Sequence, residues 1–184
     1  THNTLLSDDE KKIDGHKKIC IERLNSETLK LLKSVKNQKW FRQKIDFETL
    51  KKMTDVISHR GPDGEGHWVS IGETVGFGHR RLSIIDLSEN GAQPMHFLNF
   101  RYTITFNGEI YNYIELKQNL LKKGYVFNTN SDTEVVLASY HDKRENCLND
   151  FDGMFSFAIY DSLNNTVFCA RDRFGEKPFH YSMY

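Results

Sequence analysis

Residues 102–116 read YTITFNGEIYNYIEL. Tyr102 to Phe106 alternates apolar and small polar side chains, the pattern of a strand with one face buried. Asn107-Gly108 is the dipeptide that ordinarily announces a two-residue hairpin. The segment after it does not read as a second strand. Asn112 with Glu115 three residues later has the form of a capping box, and Tyr113, Leu116 and Leu120 then share one helical face up to Lys122-Lys123-Gly124. The expectation is strand, tight Asn-Gly turn, helix.

Downstream, Ser131 with Glu134 forms a second capping box and starts a helix to about Asp142. Met154 to Tyr160 is apolar on both faces, which predicts a strand covered on both sides, paired through Ser162 to Asn165 with a strand over Thr166 to Ala170. Upstream, Asp46 precedes Phe47, Leu50, Met53 and Ile57 at helical spacing, and Gly61-Pro62 must end that helix. A loop, His59-Arg60-Gly61-Pro62-Asp63-Gly64, leads into strands over Trp68 to Gly78 with a turn near Gly72. Leu82 to Ile85 is a short apolar run. Several antiparallel strands with at least three helices packed over them make an α+β layered domain.

The composition excludes some classes of function. Lys+Arg and Asp+Glu both count 25 in 184 residues, so no global field selects nucleic acid or an acidic partner. Residues 1–44 nonetheless hold 11 basic and 6 acidic side chains, read as a solvated helical face because acids interleave the lysines. The chain thus divides into a charged, partly helical extension over 1–45 and a domain over 46–184, incomplete at both ends. In the extension, Ser26 caps a helix bearing Leu29, Leu32 and Val35, followed by Trp40 and Phe41. Three cysteines, Cys20, Cys147 and Cys169, show neither a disulfide framework nor zinc-ligand spacing. No metal site and a reducing cytoplasm are expected. No apolar run has membrane length, and Thr1 to Lys12 has no signal-peptide core.

Taken singly, the polar clusters have ordinary explanations. Arg60, Arg80, Arg81, Arg171 and Arg173 read as arginines beside strands, and Asp132 as an acid favoured at a helix N-terminus. Their joint order is different. HRGPDGEGHW at 59–68, GHRRLSIIDLSENGAQPM at 78–95, NGEIYNYIEL at 107–116, SDTEVVLASY at 131–140, GMFSFAIYD at 153–161 and ARDRFGEKPF at 170–179 closely resemble the glutamine-hydrolysing asparagine synthetases over residues 46–184. HRGPDGEG with RLSIIDLS separates the chain from phosphosugar and phosphoribosyl amidotransferases of the same superfamily.

That resemblance implies an N-terminal-nucleophile hydrolase fold, a four-layer αββα sandwich, and hydrolysis of L-glutamine to glutamate and ammonia. An N-terminal cysteine attacks the carboxamide with its own α-amine as base. At the matching positions, Arg81 clamps the α-carboxylate, because a guanidinium makes paired charge-assisted bonds. Asp132 accepts the α-ammonium. The Asn107 side-chain amide and the Gly108 backbone N–H form the oxyanion hole, glycine being expected there so that the backbone can approach substrate. Glu109 contacts substrate, Leu82 and Ile84 line the pocket through their backbones, and Arg60 supports the site. The family continues into an ATP-dependent synthetase domain, in cis or trans, to which ATP and Mg belong. No cofactor is expected on this chain, where no Gly-rich phosphate cradle occurs. The resemblance allows a homodimer.

The start departs from the family pattern Met-Cys-Gly-Ile. Thr1 opens the sequence, Cys20 stands in Ile19-Cys20-Ile21-Glu22 without the following glycine, and Cys147 and Cys169 are interior. The expectation is a fragment or a processed chain that lacks the nucleophile and is inactive alone. The alternatives are a glutamine-binding or partner-docking domain without a nucleophile, and an amidotransferase domain serving a sugar or peptide carboxamide synthetase.

Overall fold

The computed structural model describes residues 44–83 and 89–182. All of the expected N-terminal extension but Lys44 and Ile45, including Thr1, Cys20, Trp40 and Phe41, lies outside the described residues, as do Ile84 and Ile85. Helix α1 (Phe47–Val56) begins at Asp46, whose carboxylate accepts from the Thr49 N–H at 3.2 Å. Such an N-cap satisfies a donor that the first helical turn leaves free. A single 3-10 turn, Ser58–Arg60, follows before Gly61-Pro62.

Strands β1 (Gly64–Val69) and β2 (Gly76–Arg81) form an antiparallel pair. The second sheet is antiparallel in chain order: β3 (Met95–Phe97), β4 (Tyr102–Ile110), β5 (Gly153–Asp161) and β6 (Thr166–Arg171). Helices α2 (Tyr113–Lys122) and α3 (Asp132–Lys143) cover one face of it. There Tyr102, Ile104, Phe106 and Ile110 of β4 and Phe155, Phe157 and Ile159 of β5 pack with Val135, Leu137 and Ala138 of α3. Burying each large side chain is worth about 1.5–3 kcal/mol. A one-residue slip would turn the whole row outward, so this face fixes the register.

The other face of the four-stranded sheet meets the β1–β2 pair. The Trp68 ring lies 5.4 Å from that of Tyr160, and His79 Nδ1 is 3.5 Å from Thr105 Oγ1. Helix α1 covers the far side of β2, where Arg80 Nε donates to the Thr54 carbonyl at 3.2 Å. The order of layers is therefore α1, β1–β2, β3–β6, then α2 and α3, an α+β sandwich. Because β4 is inside it, Tyr102, Thr103 and Ile104 are all fully buried, and the strand is not the half-buried one its alternation implies. The covering of β5 is less complete than expected: Met154, Ser156 and Ala158 are half-buried.

Asn107-Gly108 is not a turn. Strand β4 runs through it to Ile110, pairing Asn107 with Ser156 and Gly108 with Phe155. Continuous pairing with β5 overrides the local preference of the dipeptide, and the chain turns at Tyr111-Asn112 instead. Helix α2 starts at Tyr113, but the capping box is not made. Asn112 Nδ2 donates to the Asp150 carbonyl at 2.8 Å and its Oδ1 accepts from the Asp152 N–H at 3.1 Å, tying the turn to the segment that enters β5. At α3, Ser131 does cap, accepting from the Thr133 N–H at 3.1 Å. Glu134 reaches elsewhere, accepting from the N–H groups of Asn128 and Thr129 and from the Thr129 hydroxyl, and so fixes the loop ahead of Asp132.

Candidate active site

In an antiparallel strand, the N–H and C=O groups of alternate residues point to opposite edges. In β4 the Phe106 and Ile110 groups point away from β5. Phe106 N–H donates to Gln93 Oε1 at 2.6 Å and its carbonyl accepts from Gln93 Nε2 at 3.1 Å. Ile110 N–H donates to Asp132 Oδ2 at 3.0 Å. Gly108 is midway between them, so its N–H is aimed at the same edge, flanked by two side chains that satisfy its neighbours. This is the backbone donor to which the resemblance assigns an oxyanion hole.

Strand β5 by itself demands glycine at 108, alongside the approach of substrate expected there. With φ at +155°, a Cβ here would stand 2.1 Å from the Met154 carbonyl oxygen and 2.6 Å from Phe155 Cα. Asp172 holds that part of β5 in turn. Its N–H donates to the Phe155 carbonyl at 2.7 Å and its carboxylate accepts from the Phe155 N–H at 3.3 Å.

Asn107 projects to the opposite face of β4 from the Phe106 ring, toward the β1–β2 layer, and is exposed. Glu109 follows it on that face, half-buried. The odd residues of β2 look back across the gap. Phe77 packs on Trp68 at 5.8 Å, Trp68 on Tyr160, and Tyr160 pairs with Thr103. His79 stands at Thr105. Two residues further along β2, Arg81 is on the same side of the strand as His79.

The HRGPD loop holds Arg81 from below. The Arg81 carbonyl accepts from the Asp63 N–H at 3.0 Å, Asp63 Oδ2 accepts from the Ser83 N–H at 2.8 Å, and Pro62 bridges to Arg81. This support comes from Pro62 and Asp63, while the Arg60 side chain is exposed. Leu82, expected to line the pocket through its backbone, is 57% exposed. Ile84, expected beside it, is outside the described residues.

Asp132 is 4% exposed at the first position of α3. Burial raises its pKa above the usual carboxylate value, the Ile110 and Thr133 N–H groups oppose that, and the Glu109 charge adds to it. A buried carboxylate with a raised pKa gains most from an incoming cation. His79, between Arg81 and Thr105, is pushed down to about 4, by burial first and by the Arg81 charge second.

The described cysteines do not join this group. Cys147 is fully buried in the 3-10 segment Arg144–Asn149, and Cys169 is in β6; burial pushes their thiols up to about 12 and about 11. Such thiols are poor nucleophiles at neutral pH. Among the described residues no three His, Cys, Asp or Glu side chains could together hold a metal ion. A recess of about 750 Å³ opens instead at the other end of β4, lined by His96, Phe100, Tyr125, Val126, Glu134 and His141 among others. Its one carboxylate, Glu134, is already engaged by Asn128 and Thr129, and no guanidinium lines it. The edge between Gln93 and Asp132, where a buried carboxylate stands beside the Gly108 N–H, is the better site for an amino acid.

Of the residues expected from the resemblance, Asn107, Gly108, Glu109 and Asp132 meet at the end of β4, while Arg81 ends β2 on the side that His79 turns to that sheet. Gln93 and Asp172 were given no role, although they stand within the blocks at 78–95 and 170–179. The signal for Gln93 was a long primary amide two residues ahead of a strand, able both to donate and to accept.

Residues 34–184 match the family model described as a glutamine amidotransferase domain. Asparagine synthetase [glutamine-hydrolyzing] 1 of Bacillus subtilis (strain 168) is 51% identical over 135 residues, 73% of this chain and 21% of that protein. Asparagine synthetase [glutamine-hydrolyzing] 3 of the same organism is 45% identical over 138 residues, 73% and 22%. A putative asparagine synthetase [glutamine-hydrolyzing] 2 of Methanocaldococcus jannaschii is 40% identical over 157 residues, 77% and 30%. The chain therefore spans between 21% and 30% of the length of these three relatives.

Proposed function

The chain belongs to the glutamine amidotransferase domain family, and from that premise we propose that the edge of β4 binds L-glutamine and stabilises its hydrolysis to glutamate and ammonia. The observation that carries the reading is the position of the Gly108 N–H between Gln93 and Asp132, with Arg81 at the end of β2, two residues beyond the His79 that meets Thr105 of β4. Arg81 takes the α-carboxylate and Asp132 the α-ammonium, so that a free amino acid is selected over a peptide-bound glutamine. The carboxamide oxygen then lies toward the Asn107 amide and the Gly108 N–H.

A thiol attacking the carboxamide carbon gives its proton to a base and turns that oxygen into an oxyanion; the base passes the proton to the nitrogen as the tetrahedral adduct collapses and ammonia leaves. Water then cleaves the thioester to glutamate. Each oxyanion donor in such sites is worth roughly 3 kcal/mol of barrier. The nucleophile that the resemblance implies is a cysteine with a free α-amine, a group the described residues do not include. Their part is recognition of the zwitterion and stabilisation of the oxyanion. Glu109, beside Asp132, adds a substrate contact, and the loop under Arg81 is held through Pro62 and Asp63.

The relatives carry the name asparagine synthetase, which favours an ammonia acceptor of that class over a sugar or peptide carboxylate. We place the ATP and Mg chemistry in a synthetase domain joined in cis or trans, with no cofactor on the described residues. Two unpaired cysteines and the absence, among the described residues, of any helix long and apolar enough to cross a membrane support a cytoplasmic setting. A homodimer is compatible with this reading.

Titration of L-glutamine into the isotope-labelled chain tests the site. The Gly108 and Ile110 amide resonances and the Asn107 side-chain amide should shift with one saturable isotherm, and D-glutamine and N-acetyl-L-glutamine should move none of them. Unmoved resonances at millimolar L-glutamine, or equal shifts from the acetylated ligand, would refute it.

A further inference from the structure

Strand β3 pairs with β4 only from Met95 to Phe97, opposite Ile104 to Tyr102. Extended by the same register, the ladder would set residue 93 against Phe106. The Gln93 backbone does not occupy that place. Its side-chain amide does, accepting from the Phe106 N–H at 2.6 Å and donating to the Phe106 carbonyl at 3.1 Å. A primary amide is the one side-chain group able to imitate a neighbouring peptide in this way, since it offers an acceptor and a donor in one plane.

The Phe106 carbonyl is half of the peptide group that carries the Asn107 nitrogen. Fixing it fixes the orientation of Asn107, and through the next peptide that of the Gly108 N–H. Gln93 is itself held from the other sheet. Gly66 in β1 lies against its backbone so closely that a Cβ at 66 would stand 2.0 Å from the Gln93 carbonyl oxygen. Gly66 pairs with His79, which meets Thr105 one residue before Phe106. The contacts form a closed ring, Gly66–Gln93–Phe106–Thr105–His79, around the strand segment that leads into the oxyanion donors.

We propose that Gln93 is a positioning residue for the oxyanion hole: its amide sets the Phe106–Asn107 peptide and thereby aims Asn107 and Gly108 at the substrate carboxamide, without itself touching substrate. The inference rests on the amidotransferase reading of the site and adds to it a residue that controls recognition of the side-chain end of glutamine only. Arg81 and Asp132, which grip the α-carbon end, are held by other contacts.

The test compares L-glutamine with L-2-aminopentanoate, which keeps the amino-acid end and replaces the carboxamide with a methyl group. In calorimetric titrations the unaltered chain should prefer glutamine by about tenfold or more, roughly one good hydrogen bond. In Gln93→Leu the affinity for glutamine should fall about tenfold while that for 2-aminopentanoate stays within about twofold, and the Gly108 amide should no longer shift with glutamine. Gln93→Glu is nearly isosteric, keeps the acceptor for Phe106 N–H and loses the donor. It should give an intermediate ratio, and it serves if the leucine variant does not fold. Retention of the original ratio in either folded variant overturns the proposal, as does equal weakening of both ligands, which would mean that Gln93 merely holds the fold. If the unaltered chain binds neither ligand, or binds both alike, it is the reading of the site that fails.

Discussion

Asp132 accepts a hydrogen bond from the Ile110 backbone N–H at 3.0 Å, so the carboxylate assigned to the glutamine ammonium is also the clasp that closes the end of β4 onto α3. The two roles separate by substitution. Asp132→Asn keeps an acceptor for Ile110 and removes the charge, whereas Asp132→Ala removes both. The alanine variant should lose about 1–3 kcal/mol of stability, the cost of leaving a buried donor unpaired, measured by urea denaturation. The asparagine variant should remain folded and bind glutamine at least about tenfold more weakly by calorimetry.

The direction of the Asp132 shift adds a pH dependence. Its folded pKa is raised above the unfolded value, by burial first. The stability linked to this group is therefore fully present below the unfolded pKa and is lost as pH rises through the folded one. Asp132→Asn should accordingly be more stable than the unaltered chain at pH 7, with the gap closing toward pH 4. Glutamine binding should run the other way, weakening on acidification as the carboxylate protonates. Equal pH profiles for the two chains would contradict both statements.

Gly108→Ala tests whether β5 is what demands glycine. The added methyl meets the Met154 carbonyl and Phe155 Cα at distances no van der Waals contact permits, and φ at +155° is itself unfavourable for an L side chain. A loss of about 2 kcal/mol or more is expected even without ligand. A thermal melt unchanged from that of the parent would show that the strands separate more easily than their pairing implies.

Much of this arrangement was legible in the residues because local signals and tertiary demands agreed. Ser131 does cap its helix, the helix expected after Asp46 does begin at Phe47, and the phenylalanines of 155–157 do form the core. The sequence misled where a side chain took a distant partner in place of a local one. Asn112 bonds to Asp150 and Asp152, and Glu134 bonds to Asn128 and Thr129, so neither completes its capping box. Asn107-Gly108 carries a turn preference that β5 overrides through pairing over nine residues. Gln93 escaped notice because its partner, the Phe106 backbone, has no identity in sequence; any residue at 106 offers the same two groups.

Arg81 should behave differently from Gln93 in the same ligand comparison. A guanidinium that grips the α-carboxylate contributes equally to glutamine and to 2-aminopentanoate. Arg81→Lys should weaken both about tenfold or more, because an ammonium does not reproduce the paired, planar contact, and their ratio should be unchanged. A selective loss of glutamine alone would move Arg81 from the carboxylate to the carboxamide end.

The histidine beneath Arg81 makes the molecule sensitive to acid in a second way. His79 has a folded pKa of about 4 against an ordinary value of 6.5, because burial and the nearby guanidinium both disfavour the imidazolium. A group whose folded pKa is depressed contributes stability that is present above the unfolded value and lost as pH falls through the folded one. The loss should therefore develop between pH 6.5 and pH 4, to a ceiling on the order of 3 kcal/mol at about 1.36 kcal/mol per pKa unit. His96 and His141 are shifted in the same direction, so the measurement must be differential. The urea midpoint of the parent should fall more steeply from pH 7 to pH 4 than that of His79→Gln, whose amide stays neutral while still reaching the Thr105 hydroxyl. Because His79 and Arg81 are on the same side of β2, protonation of His79 would also repel the Arg81 guanidinium from its place. Glutamine affinity should then weaken over the same pH interval in the parent, less so in the glutamine variant, and parallel curves for the two would separate His79 from the site.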